Sequence, residues 1–147
     1  MGELDIQKTQ RGFRDLVAWQ KADQLASGVY RAVKNVPPGH LWLVDQMLRS
    51  AISVPANIAE GHGRGTRAEL ARFVDIARGS LAELEYYIHF VANEGLLSAE
   101  QIERLEEARR EAGRVLFGLW RSLKTMPKTD WDHTGKRVRE DEGIYTV

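Results

Sequence analysis

The chain of 147 residues contains no cysteine. That excludes disulfides, thiolate metal sites and cysteine nucleophiles, and it fits a reducing compartment. No apolar run approaches the ~20 residues needed to span a bilayer as a helix. The N-terminal Met1-Gly2-Glu3-Leu4-Asp5 lacks the basic-then-apolar pattern of a secretory signal, so a cytoplasmic protein is expected. There is no excess of either charge, with 21 basic and 21 acidic residues. A neutral total argues against a surface that is basic throughout but leaves room for a local basic patch. Proline is sparse, at four residues, and β-branched residues are scattered without strict alternation. No strand is expected.

A hydrophobic content of 43% at this length is enough for one domain with its own core. Four segments carry apolar residues at helical spacing, separated by clear breakers. The first spans 15–36, with Leu16, Trp19, Ala22, Ala26, Val29, Tyr30 and Val33 on one stripe, Asp15 as its expected N-cap and Pro37-Pro38-Gly39 as its stop. The second spans 41–61, with Leu41, Val44, Leu48, Ala51, Pro55 and Ile58 as its seam, a kink or bulge expected at Pro55, and a turn over Gly61-His62-Gly63-Arg64-Gly65. The third opens on the capping box Thr66-Arg67-Ala68-Glu69 and runs to Asn93, with Gly95 as C′ residue. The fourth opens on Ser98-Ala99-Glu100-Gln101 and ends near Lys124. Short connections make sequential helices antiparallel neighbours. The expected fold is all-α, an up-down-up-down four-helix bundle over residues 13–125. Residues 1–12 form an N-terminal extension and 126–147 a mobile C-terminal tail held only if a partner takes Trp131 or Tyr145.

Bundles of this kind house di-iron sites on paired Glu-x-x-His motifs. That spacing is missing: His89 follows Glu85 by four residues and His62 follows Glu60 by two. The glycine-rich Gly61–Thr66 segment lacks the Gly-Lys-Ser/Thr ending of a phosphate loop and follows a helix rather than a strand. Ser53 has no helical histidine beside it. No catalytic residue, metal site or cofactor is expected, and the chain reads as a non-enzyme.

What stands out is a polar stripe. Gln46, Arg49, Ser53, Asn57 and Glu60 fall at intervals of three and four residues among small neighbours, so they share one helix face. Folding back about Arg64 sets residue 57 opposite 71 and residue 49 opposite 79, where Arg72, Asp75, Gly79, Glu83 and Tyr86 make a matching stripe. A mid-helix glycine costs about 1 kcal/mol relative to alanine, so Gly79 is expected where a side chain or backbone approaches closely. Arg49 is expected to reach Glu83, and Asn57 and Glu60 to engage Arg72 or the turn. Such pairs would fix helix register within the bundle or between identical subunits; the alternative is that the arginines bind a ligand such as RNA phosphate.

Three ordered motifs carry a family resemblance: Phe13-Arg14-Asp15-Leu16-Val17-Ala18-Trp19-Gln20-Lys21-Ala22, then Arg49 to Gly61 with Asn57-Ile58-Ala59-Glu60-Gly61 most distinctive, then Ala77-Arg78-Gly79-Ser80-Leu81-Ala82-Glu83-Leu84. Across about 13–125 the chain resembles the four-helix-bundle proteins linked to 23S rRNA intervening sequences. The resemblance implies a bundle assembling as a ring-like homopentamer, and a link to RNA. A related branch is the accessory variability protein of diversity-generating retroelements, a basic barrel that works with a reverse transcriptase. Two functions are therefore expected to compete. One is a non-enzymatic partner of structured RNA, with Arg64 and Arg67 at the second turn and Arg109, Arg110, Arg114, Arg121 and Lys124 on the last helix as contacts. Against these contacts, Glu103, Glu106, Glu107 and Glu111 interleave with the last-helix cations and would make that face an ordinary solvated one. The other is a protein scaffold or accessory subunit of a reverse transcriptase, anchored by Trp42, Tyr87, Trp120 and Trp131.

Overall fold

The computed structural model describes residues 12–125, together with the backbone of 129–131 and 137–139. Four helices make up the body: α1 (Val17–Ala32), α2 (Leu41–Gly63), α3 (Arg67–Asn93) and α4 (Ala99–Thr125). The expected N-terminal extension lies almost wholly outside the described residues. So does the expected tail, apart from two three-residue strands, β1 (Thr129–Trp131) and β2 (Arg137–Arg139), which pair antiparallel. The sequence pattern showed no strand there, because three residues are too few for alternation to register.

Each helix packs against two others, α1 on α2 and α4, and α3 on α2 and α4. The core between them is aliphatic. Leu25, Val29, Leu43, Met47, Ile58, Leu70, Val74, Leu84, Ile88, Val91 and Leu116 are fully buried. Between α2 and α3, Gly61 meets Leu70 and Phe73 while Ser53 meets Ser80. Between α3 and α4, Asp75 meets Trp120 and Glu85 meets Arg109. Each α2 residue thus faces an α3 partner roughly one helical turn further along than a fold-back centred on Arg64 places it.

The helix ends follow local chemistry. Ser98 and Gln101 form a reciprocal capping box: Gln101 N–H donates to Ser98 Oγ at 3.2 Å and Ser98 N–H to Gln101 Oε1 at 3.1 Å. Thr66 Oγ1 accepts from Glu69 N–H at 3.1 Å, but the Glu69 carboxylate turns away to Arg72. Past Asn93, Gly95 takes φ +68° and Leu96 N–H closes onto Val91 C=O at 3.0 Å, the C-cap that the sequence calls for.

Three expectations about the elements fail. Asp15 is not the cap of α1. It sits in a 3-10 turn over Phe13–Asp15, and the helix starts only after Leu16, whose extended backbone lets its side chain pack on the core. That helix also stops at Ala32, before a 3-10 turn over Val33–Asn35, because Pro37 forces Val36 into extended geometry. And α2 runs on through Gly61 to Gly63, since buried packing against α3 holds Gly61 helical; only Gly65, at φ +80°, makes the turn. Two residues assigned to apolar seams are also exposed, Tyr30 at 55% and Leu41 at 81%. The buried face of α2 runs instead through Leu43, Met47, Ser50, Ala51, Val54, Pro55, Ile58 and Gly61.

Candidate interaction surfaces

Two outer faces of the bundle carry groups suited to recognition. The first lies along α2 and α3 and contains the polar stripe. Ser53 and Asn57 are the half-buried part. Asn57 Nδ2 donates to Ser53 C=O at 2.7 Å and to Ser53 Oγ at 2.8 Å, and the Ser53 and Ser80 hydroxyls share a hydrogen bond at 2.8 Å between α2 and α3. This short chain of bonds ties the two helices at one level and is the register device the stripe contains.

Arg49 and Arg72 behave differently from expectation. Arg49 does not reach Glu83. It is 74% exposed and pairs with Asp45 one turn back on its own helix, at 3.0 Å. Glu83 accepts the Tyr87 hydroxyl at 2.7 Å instead. That bond, with a smaller contribution from burial, holds the Tyr87 phenol above its ordinary pKa. Glu60 pairs at 3.0 Å with Arg64 of the turn, one of its two expected partners; Arg72 pairs with Glu69 at 3.0 Å, and neither Glu60 nor Asn57 engages it. Arg72 also lies over the Phe73 ring at 4.5 Å. The physical reason is proximity. A carboxylate one turn away on the same helix is reached with less side-chain ordering than one on a neighbouring helix. Gln46 is exposed, and Gly79 faces open space, with nothing within 4 Å of a Cβ built there. The close approach expected at Gly79 occurs at Gly61 instead. The two helices also expose large apolar side chains, with Trp42 and Ile52 of α2 and Ile76 and Tyr86 of α3 all more than 40% exposed. Trp42 and Tyr86 both contact Phe90 edge-on or tilted, at 6.4 Å.

The second face lies along α3 and α4. Phe117 and Trp120 stack at 5.6 Å with an interplanar angle of 26°. The Arg78 guanidinium covers the Trp120 ring at 4.2 Å, and the Trp120 indole N–H donates to Asp75 Oδ1 at 2.7 Å. Asp75 is also approached by Arg78 at 3.8 Å and Lys124 at 3.6 Å. Sequence reading singled out Lys124, Arg121 and Trp120 but missed Asp75, Arg78 and Phe117 as their companions. For Phe117 the signal was present: Arg110, Arg114, Phe117, Arg121 and Lys124 recur at four, three, four and three residues, one outward stripe of α4.

The remaining candidate RNA contacts are mostly engaged. Arg109 is largely buried, bridging Glu106 on its own helix at 2.7 Å and Glu85 on α3 at 3.4 Å, and these carboxylates raise its pKa against the opposing pull of burial. Arg114 pairs with Glu111 at 2.9 Å, which lowers the Glu111 pKa. Arg110 lies 3.8 Å from Glu106, and Arg64 is held by Glu60. Arg67, at the first turn of α3, is buried. Among the described residues no group of three or more His, Asp or Glu is placed to hold a metal ion. No described helix is long and apolar enough to cross a membrane.

Fold and faces together define a four-helix bundle whose notable chemistry lies on its outer surface. The chain belongs to the 23S rRNA-intervening sequence protein family, whose model matches residues 14–118. Among solved structures it is similar to a protein of unknown function from the S23 ribosomal protein family of Bacteroides thetaiotaomicron VPI-5482. That likeness has 24% identity, covers 71% of this chain and 98% of the other, and gives a TM-score of 0.65. Such an identity speaks to the fold. No curated protein matches the sequence.

Proposed function

We propose that this protein is a non-enzymatic, homo-oligomeric bundle, of up-down-up-down topology and pentameric as its resemblance implies, that associates with structured RNA in the cytoplasm. The observation that carries the assembly is the α2/α3 face. It exposes Trp42 and Ile52 of α2 and Ile76 and Tyr86 of α3, the last two one and two turns from the open Gly79, with Arg49, Glu60, Arg72 and Glu83 on the same two helices. Large apolar side chains exposed together with charge on one face suit a protein contact. Charges of both signs on one face let identical copies complement each other. The contact pairs that fall on α3 as they rise on α2 support the antiparallel topology. Association with RNA is supported by the family's description and by exposed cations of α4. The aromatic rim of the α2/α3 face favours a second reading, a scaffold for another protein such as a reverse transcriptase.

Purification from the native host, with sequencing of bound RNA and identification of co-purifying proteins, tests both readings. Recovery of a discrete RNA is expected, and its binding should weaken steeply with salt. Absence of structured-RNA binding at low salt would remove the RNA reading, and a reverse transcriptase in its place would establish the second. Light scattering tests the assembly: a clean monomer overturns it.

A further inference from the structure

We infer that the Phe117–Trp120 pair on α3/α4 is a stacking site for an unpaired nucleotide of an RNA strand, with Arg121, Lys124 and Arg78 as its phosphate-facing cations. The inference rests on the RNA reading above and adds a place and a class of ligand to it.

Charge makes the first part of the argument. The whole chain is neutral, but this face is not. From residue 112 to 125, α4 contains Arg114, Arg121 and Lys124 and no carboxylate. Opposite, between residues 70 and 81, the single acidic residue of α3 is Asp75. That one carboxylate takes the Trp120 N–H and lies near both Arg78 and Lys124. Arg121 is exposed and has no carboxylate within ion-pair distance among the described residues. Arg78 and Lys124 therefore share one anion and Arg121 adds a further positive charge on the same stretch of α4, whereas Arg114 is already matched by Glu111. The excess sits on an exposed, high-dielectric surface, where it attracts a polyanion without requiring burial of either partner.

The aromatic pair makes the second part. Trp120 is half-buried and fixed: its N–H is bonded to Asp75, one ring contact is Arg78 and another is Phe117. Phe117 is 48% exposed, and its ring is held near-parallel to the indole. A ring supported from behind has already lost its rotamer freedom, so a base stacking on its open side orders little that is not ordered already. A stacking face flanked by cations is what single-stranded nucleic acid uses, since every base has a π-face and every step a phosphate. Duplex bases are stacked on each other and cannot reach it, which makes the site selective for unpaired segments of a structured RNA.

Fluorescence anisotropy with a short labelled oligouridine, and separately with an RNA duplex of equal length, tests this on the full chain at low salt. Phe117→Ala and Phe117→Leu are expected to weaken oligouridine binding roughly 5- to 150-fold, the range for loss of one base–aromatic stack. Phe117→Tyr should keep it, and duplex binding should not change. Arg121→Ser should flatten the salt dependence by about 0.7 in the log–log slope. Full oligouridine binding by Phe117→Leu overturns the site, and so does a change in assembly mass in that variant, which would assign Phe117 to a protein contact. If structured RNA binds and Phe117 is irrelevant, the RNA reading stands and this site falls. If no RNA of any kind binds, both fall.

Discussion

Gly61 of α2 lies against Phe73 of α3 so closely that a Cβ at Gly61 would stand 2.6 Å from the Phe73 Cβ and 3.2 Å from the Leu70 Cα. Both obstructing atoms are fixed to the α3 backbone, so a side-chain rotation cannot clear them. Gly79, in the middle of α3, meets nothing. The two glycines therefore predict opposite outcomes. Gly61→Ala should destabilise the fold by about 1–3 kcal/mol through overpacking. Gly79→Ala should stabilise the isolated bundle by up to about 1 kcal/mol through helix propensity. Denaturant unfolding of both variants measures the contrast, and equal losses at the two positions would refute it.

Ser53 and Ser80 join α2 to α3 through a half-buried hydroxyl pair that Asn57 extends. Removing either hydroxyl should cost about 0.5–1.5 kcal/mol. Because each substitution removes the same bond, the double alanine variant should lose less than the two single losses combined. A double-mutant cycle reads the shortfall directly; full additivity would mean the pair contributes no coupling.

Caps differ in worth according to what they bond. Ser98 holds a reciprocal box with Gln101, so Ser98→Ala should cost about 1 kcal/mol. Asp15 lies in the turn preceding α1 and makes no side-chain cap there, so Asp15→Ala should stay within about 0.5 kcal/mol of the parent. Thermal unfolding monitored by circular dichroism separates these two values.

Arg49 is exposed and bonded to an exposed Asp45. Such pairs contribute about 0–1 kcal/mol, so Arg49→Ala should barely change the unfolding of the subunit. If the α2/α3 face joins subunits, as proposed, the same variant should lower the mass of the assembly at a given concentration. Light scattering across a dilution series is the measurement, and an unchanged assembly would remove Arg49 from the interface.

Tyr87 donates to the Glu83 carboxylate, which favours the protonated phenol and raises its pKa above the ordinary 10.0. The folded state therefore holds this proton more tightly than the unfolded one. The resulting stabilisation is complete below the unfolded value and is lost as pH rises through the folded value. Phenolate absorbance should show one tyrosine ionising later than the others, and Glu83→Gln should return it towards the ordinary range. Because the hydroxyl bonds an exposed carboxylate at the surface while the ring keeps its packing on the core in either residue, Tyr87→Phe should change stability at neutral pH only slightly.

The sequence by itself determined the four helices, most of their ends and much of the core, because these depend on nearest neighbours along the chain. Apolar spacing selects a helix face, Ser98 and Gln101 close a cap three residues apart, and Gly95, lacking a Cβ, adopts the left-handed turn without strain. The family, too, was legible in ordered local motifs. What only the tertiary structure decided was which helix meets which residue. The fold-back came out roughly a turn away from the value counted from Arg64, since packing at Gly61 kept α2 helical past the expected turn. That shift, with acids one turn away on the same helices, gave Arg49 to Asp45 and Arg72 to Glu69 rather than to partners on the facing helix, while Glu60 took Arg64 in the turn. It also took tertiary packing to bring Asp75 and Arg78 of α3 beside Trp120 of α4, residues too far apart in sequence for any spacing rule to join.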